Sequence, residues 1–310
     1  MDLLGHLQTE AEGIWHEPSA YRDYDSRVPE PIVWLRSLPP SLAAQKALIA
    51  SLLSSARDDE RIRVLVVGCS LGRGVGDALS DVDALIGVRA DSWETSLTES
   101  RRWIERAGPV LDMHQMLQPD GAPPDKQYQG SYVQYASGVE MDLVVSRARD
   151  DWRRRADWIV LYDPDGVVPH EVTRSTQTED DLRRWGYAVF TRLGAVAKYA
   201  TRGALWEAHL CLELARADVW RIWAVAERVP DAQYGVTAVF DDPRRPVPPS
   251  MTRTVPGALE KTALVAAAIA CCDLAIEVWP RAMGAIGARD GALPPLASHV
   301  RARLRKLATG

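Results

Sequence analysis

Phenylalanine is nearly missing from this chain, with two among 310 residues, and cysteine and histidine are scarce at four and six. Cys69, Cys211, Cys271 and Cys272 have no zinc-ligand spacing and no secreted context, which excludes a disulfide scaffold and a zinc module. They are expected to be reduced, and most to pack as small core residues. The histidines form neither a His-x-x-x-His pair nor a plausible triad, which disfavours a zinc enzyme or a serine hydrolase. His209, in an apolar helical stretch, is read as a packing residue. Met1 to Ala20 lacks a basic start followed by an apolar core, and no apolar run reaches membrane-span length. A cytoplasmic protein without a membrane partner is the expectation. No dense basic stripe is present, so no nucleic-acid partner is expected.

Apolar residues make up 46% and charged residues 25%, ordinary for a globular chain, and the length suits two domains. The net charge of −5 is uneven. Residues 1–170 hold 18 basic against 27 acidic side chains, and residues 171–310 hold 19 against 15.

The chain is organised around Arg61 to Val88, RIRVLVVGCSLGRGVGDALSDVDALIGV. Val64 to Val67 reads as a buried strand, a Gly- and Ser-rich loop comes next, and Ser80-Asp81-Val82-Asp83 opens a second apolar run to Val88. Strand alternation puts Asp81 and Asp83 on one face. Two adjacent carboxylates repel, and a cation between them removes the repulsion. Mg²⁺ suits such a site, because it takes a few carboxylate oxygens and fills its shell with waters and substrate phosphates. The glycines let backbone N–H groups approach an anion. Gly72-x-Gly74-x-Gly76 lacks the dinucleotide-binding spacing, no Lys-Ser/Thr completes a P-loop, and an EF-hand would need a longer acidic loop with a closing Glu.

Ser70-Leu-Gly-Arg73-Gly74 followed by Ser80-Asp81-Val82-Asp83 resembles the signature of the DNA polymerase beta-like nucleotidyltransferase superfamily, most nearly its aminoglycoside and lincosamide branch. Cys69 stands where that family usually has Gly, the glycine here being Gly68. The resemblance calls for a third acid on a later strand. Ser137-Gly138-Val139-Glu140-Met141-Asp142 supplies a turn and then an alternation that places Glu140 and Asp142 on one face, with Tyr132 to Ala136 as the other arm of a hairpin. By resemblance Asp142 is the third carboxylate, a metal ligand or the base for the attacking hydroxyl. Glu140 shares the base role, faces the acceptor, or is simply a solvated strand residue.

The fold class implied is α+β, an N-terminal nucleotidyltransferase domain over 1–170, with a mixed sheet flanked by helices, followed by a C-terminal helical bundle over 171–310. Asp2 to Ile14 suits a short helix, and the segment to Pro40, broken by prolines and holding Trp34, wraps the catalytic domain. Helices are expected over Ser41–Arg57 and Ser92–Ala107, a strand over Val110–Met116, a surface loop over Gln118–Gly130, and a last strand with a turn over Asp157–Gly166. Asp163 in that turn is taken as a structural marker. Beyond residue 170, helices are expected over Glu179–Arg202, Leu205–Arg228, Gly257–Ala282 and Leu296–Leu307, with a Pro-rich loop over Val229–Val255 carrying Asp241, Asp242, Arg244 and Arg245. A bundle is their natural packing. Ala197-Lys198 through Trp206-Glu207-Ala again resembles the antibiotic nucleotidyltransferases. That likeness makes Lys198 a phosphate ligand, where the residue alone reads as a solvated lysine. Most of the tryptophans are expected in cores, with Trp185, Trp206, Trp220 and Trp223 as candidates to stack on a base or sugar.

The resemblance implies transfer of a nucleoside monophosphate, AMP from ATP or the equivalent from another nucleoside triphosphate, to a hydroxyl of a small acceptor. Asp81, Asp83 and Asp142 would hold two Mg²⁺ ions, Gly68, Ser70, Arg73 and Gly74 would cradle the phosphates together with Lys198, and Arg73 either offsets charge or pins the loop. The acceptor is expected to be an aminoglycoside or another hydroxylated antibiotic, met by Glu140 and Glu207, with Asp181 adding to an acidic patch. A nucleotidyltransferase of the toxin–antitoxin kind acting on a protein or tRNA end, and a non-catalytic nucleotide sensor, are the alternatives.

Overall fold

The computed structural model describes residues 31–118, 127–149, 152–172, 177–240, 245, 247–288 and 292–309. They form two compact units, one up to residue 172 and one from residue 177. The expected helix over Asp2–Ile14, most of the loop after Gln118, and Asp241, Asp242 and Arg244 lie outside the described residues.

The first unit is a six-stranded sheet with helices. Its elements in order are α1 (Pro31–Ser37), α2 (Ala43–Asp58), β1 (Ile62–Val67), α3 (Cys69–Gly72), β2 (Val82–Val88), α4 (Trp93–Ala107), β3 (Val110–Gln118), β4 (Tyr128–Tyr135), β5 (Glu140–Arg147) and β6 (Ile159–Tyr162). The strand order is β3-β4-β5-β2-β1-β6. All neighbours are antiparallel except β2 and β5, which run parallel, so the sheet is mixed. A parallel pair cannot be joined by a tight turn. Here α4 and the β3–β4 hairpin make the crossover. From Val64 to Val67 β1 is an unbroken apolar run because both its faces are covered there. Leu65 and Val67 pack with Leu48, Ile49 and Leu52 of α2, while Val64 and Val66 pack with Trp152 and Val168.

Two expectations need correction in this unit. Trp34 does not lie in an irregular wrap but on α1, and it is buried in the sheet's core. Tyr128 to Gly130 belong to β4 rather than to a loop, paired with both β3 and β5. The Gly and Pro residues that signalled the loop end at Pro124, and the sheet recruits the chain from Tyr128 onward.

The second unit is a helical bundle of α5 (Glu179–Thr201), α6 (Leu205–Ala226), α7 (Val236–Phe240), α8 (Lys261–Ala285) and α9 (Leu296–Ala308). Thr178 opens α5 with a capping box, accepting from the Asp181 amide while Asp181 accepts from the Thr178 amide. The loop expected over 229–255 holds α7 and two short 3₁₀ turns, so it is partly ordered by local structure. α8 begins four residues later than Gly257, because Glu260 is extended and Gly257, Ala258 and Glu260 are exposed. α8 is also long and apolar enough to cross a membrane by length and composition, contrary to the expectation that no segment would be. Its apolarity has a packing cause. Leu264, Cys271, Cys272, Val278 and Trp279 are fully buried among the other helices, the situation of a helix apolar on nearly all sides.

Candidate functional site

β1 ends at Val67 and the chain enters a tight turn. The Gly68 amide donates to the Asp83 carbonyl at 3.0 Å, so the turn starts one hydrogen bond from the acid-bearing strand. Cys69 then adopts a left-handed backbone, φ 52°, a region that favours glycine. α3 is a single turn, and Gly74 leaves it with φ 72°. The amides of Gly72, Arg73, Gly74 and Val75 bond back to Gly68, Cys69, Leu71 and Ser70. Those four amides are committed within the turn. The Ser70 hydroxyl is buried with no hydrogen-bond partner, an orphaned donor of the kind an anion satisfies.

The segment between the turn and β2 is held from outside. Buried Gln45 of α2 donates to the Ala78 and Ser80 carbonyls at 3.2 and 3.0 Å. Asp77 and Ser80 close a small polar turn, with Ser80 Oγ accepting from the Asp77 amide at 2.9 Å. Asp81 is thereby delivered to the mouth of β2. In the parallel register Asp83 sits directly opposite Asp142. One carboxylate oxygen from each of Asp81, Asp83 and Asp142 lies within 4.8 Å of the others, and all three side chains are half-buried. Burial pushes the Asp81 carboxyl above the ordinary carboxylate range and the charge of Glu140 adds to the push, while the Asp81 backbone amide and Arg73 act against it. Three acids sharing one half-buried space are a donor set for a hard divalent cation.

Glu140 is the exposed first residue of β5 and accepts from Gln134 Nε2 at 3.3 Å. Arg73 lies 4.0 Å from Asp157. Lys198 and Glu207 belong to the helical unit. The Lys198 ammonium lies 4.1 Å from the centroid of the Tyr199 ring, and Glu207 is exposed in the first turn of α6. Asp181 is used by the α5 cap and by Arg184 at 2.7 Å, so it does not stand free for an acceptor patch. Trp185, Trp220 and Trp223 are core residues, and Trp206 is 73% exposed. His209 is half-exposed, its Nε2 3.8 Å from Glu213. Asp163 accepts the amides of Val167 and Val168 at 2.8 and 2.9 Å and so closes its own turn.

Sequence reasoning missed Asp157 and Arg155. Asp157 reads as the start of the last strand, but β6 begins at Ile159 and Asp157 is a buried carboxylate held by the Arg155 fork. The available signal was the pairing of Arg155 with an acid two residues on, beside a run that otherwise turns apolar.

Residues 43–181 match the family model described as streptomycin adenylyltransferase, a span that holds the turn and all three clustered acids. The crystal structure of an aminoglycoside 6-adenyltransferase from Bacillus subtilis is similar at 16% identity over 86% of this chain and 99% of that one, with a TM-score of 0.37. No curated protein matches the chain.

Proposed function

Taking the chain as an adenylyltransferase, nearest in kind to the aminoglycoside nucleotidyltransferases through residues 43–181, we propose that it moves AMP from ATP, in a Mg²⁺-dependent reaction, to a hydroxyl of a small acceptor and releases pyrophosphate. The observation that carries this reading is the meeting of Asp81, Asp83 and Asp142 beside a turn with an unpartnered Ser70 hydroxyl. The catalytic domain on this reading is the sheet unit, and the helical unit contributes to nucleotide and acceptor binding.

The acceptor oxygen attacks the α-phosphorus, the bond from that phosphorus to the bridging oxygen breaks, and pyrophosphate leaves with the electron pair. The hydroxyl proton passes to a carboxylate, and Asp142 is the residue assigned to take it, with Glu140 turned to the acceptor. Asp81, Asp83 and Asp142 would hold the metal, two ions in the full complement, which when bound offsets the charge developing on the transferred phosphoryl group. Ser70 and the Gly68–Gly74 turn would orient the triphosphate, and Arg73 and Lys198 would balance its charge. An aminoglycoside or related antibiotic is the proposed acceptor, with Glu140 and Glu207 as partners for its ammonium groups, so that its modification would confer resistance. A nucleoside triphosphate substrate supports a cytoplasmic location for the reaction.

The direct test is pyrophosphate release from each of the four nucleoside triphosphates with Mg²⁺ and a panel of aminoglycosides and lincosamides, followed by mass analysis of the acceptor. A mass gain of one AMP on a single hydroxyl is expected. Absence of release with every nucleotide and acceptor, from protein that binds Mg-ATP, would refute transfer.

A further inference from the structure

Asp157 is a costly residue to bury, and its surroundings exceed what neutralising it requires. Arg155 donates through Nε and Nη2 to the two carboxylate oxygens, both at 3.0 Å, a fork that already satisfies the charge. Oδ2 accepts in addition the amide of Cys69 at 2.9 Å, from a residue 88 positions away. The Arg73 guanidinium lies 4.0 Å from the same oxygen. The Asp157 backbone takes part as well, since a Cβ on Gly72 would drive into its carbonyl oxygen. The turn is therefore docked on Asp157 at its second residue and again at its fifth, and Ser70 lies between the two anchors.

Cys69 is where the docking has a conformational effect. A non-glycine residue disfavours φ 52°, so local preference opposes this backbone and the bond to Asp157 works against that preference. We propose that Asp157, fixed by Arg155, is a positioning residue for the nucleotide: it holds Cys69 left-handed and thereby sets Ser70, and it stations Arg73 at the edge of the same turn. This rests on the nucleotide-binding reading of the turn given above. A turn preset in this way binds a triphosphate without the entropy loss of ordering it.

The Arg155→Met/Asp157→Leu pair removes both charges of the fork at once, so the Arg155 guanidinium is not left buried without its acid. Gly72→Ala displaces the turn from the Asp157 carbonyl without touching a charge. Asp157→Asn keeps an oxygen able to accept the Cys69 amide. Three readouts apply: amide exchange at Cys69 in protein free of metal and nucleotide, the Mg-ATP dissociation constant by calorimetry, and the separate kcat and KM for ATP. In the charge-free pair and in Gly72→Ala, Cys69 exchange should quicken and Mg-ATP binding weaken about tenfold, the effect of losing roughly one hydrogen bond's net contribution. The rise should appear in KM, with kcat changed less than about threefold. Asp157→Asn should recover most of the affinity, and adding Cys69→Gly to the pair should recover part of it, since glycine adopts the turn unaided. Unchanged affinity in either folded variant overturns the inference, as does a loss that follows the melting temperature and is not recovered by Asn. Wild-type protein that binds Mg-ATP without transferring AMP counts against the proposed function alone. Wild-type protein that does not bind Mg-ATP overturns this inference too.

Discussion

Asp83 and Asp142 face each other across a parallel register with their carboxylates close together, a pair of like charges that a cation would screen. Asp83→Asn should therefore lower turnover by roughly 10²- to 10³-fold, the range for removing one group that stabilises transition-state charge, while the metal-free melting temperature stays equal or rises. Undiminished activity would refute the role. Asp81 gives a pH dependence whose sign is fixed by its raised carboxyl. The native metal-free protein holds that proton at pH values where the unfolded chain, near 3.8, has lost it. The stability contributed by protonated Asp81 is present at low pH and is lost as pH rises through the raised native value. Mg²⁺ needs the ionised form, so the melting-temperature gain on adding Mg²⁺ should shrink as pH falls through that window, and Asp81→Asn should abolish the gain's pH dependence. Cys69→Gly is expected to leave stability equal or raise it by up to about 1 kcal/mol, left-handed strain relieved less the extra freedom of glycine in the unfolded chain. Chemical denaturation measures it, and a loss above about 1 kcal/mol would mean that the thiol's packing outweighs the strain.

Among the elements, α5 and α6 show how much of the helical unit rests on polar anchoring. The capping box of Thr178 and Asp181 closes the start of α5, and Thr178→Ala should cost about 1 kcal/mol in denaturant unfolding. Asp218 on α6 is only 2% exposed and pairs with Arg192 of α5 and Arg221 of its own helix. Asp218→Leu removes the acid shared by Arg192 and Arg221, which keep the Leu214 and Gln233 carbonyls as acceptors, and should destabilise the unit by roughly 2 kcal/mol. In the sheet unit, β1 and β2 were legible as elements because apolar β-branched runs bounded by Gly and Asp are local signals. α1 was not, since seven residues beginning at Pro31 give too short a period to separate from irregular chain. The start of α8 was misplaced for a related reason. Pro256 is a valid start signal, but a helix needs packing to persist, and the first side chains of α8 to reach the core are Leu264 and Val265.

At the scale of the whole molecule, each hydrophobic core draws on one unit only, one built from residues 182–304 and the others from residues 34–168. A fragment spanning residues 175–310 should therefore give helical circular dichroism and a cooperative melt, and a fragment that binds a hydrophobic dye and melts without a transition would contradict this. The sequence alone determined which residues could meet in a site, because alternation along β2 and β5 selects the acids of one face, and turn chemistry and helical period mark out the elements. Tertiary structure decided which of them meet, and on what support. The β2–β5 pairing that brings Asp83 to Asp142 and the bond from Asp157 to Cys69 both join distant segments. Such contacts are chosen by how the sheet closes around its core, and no local periodicity encodes that choice.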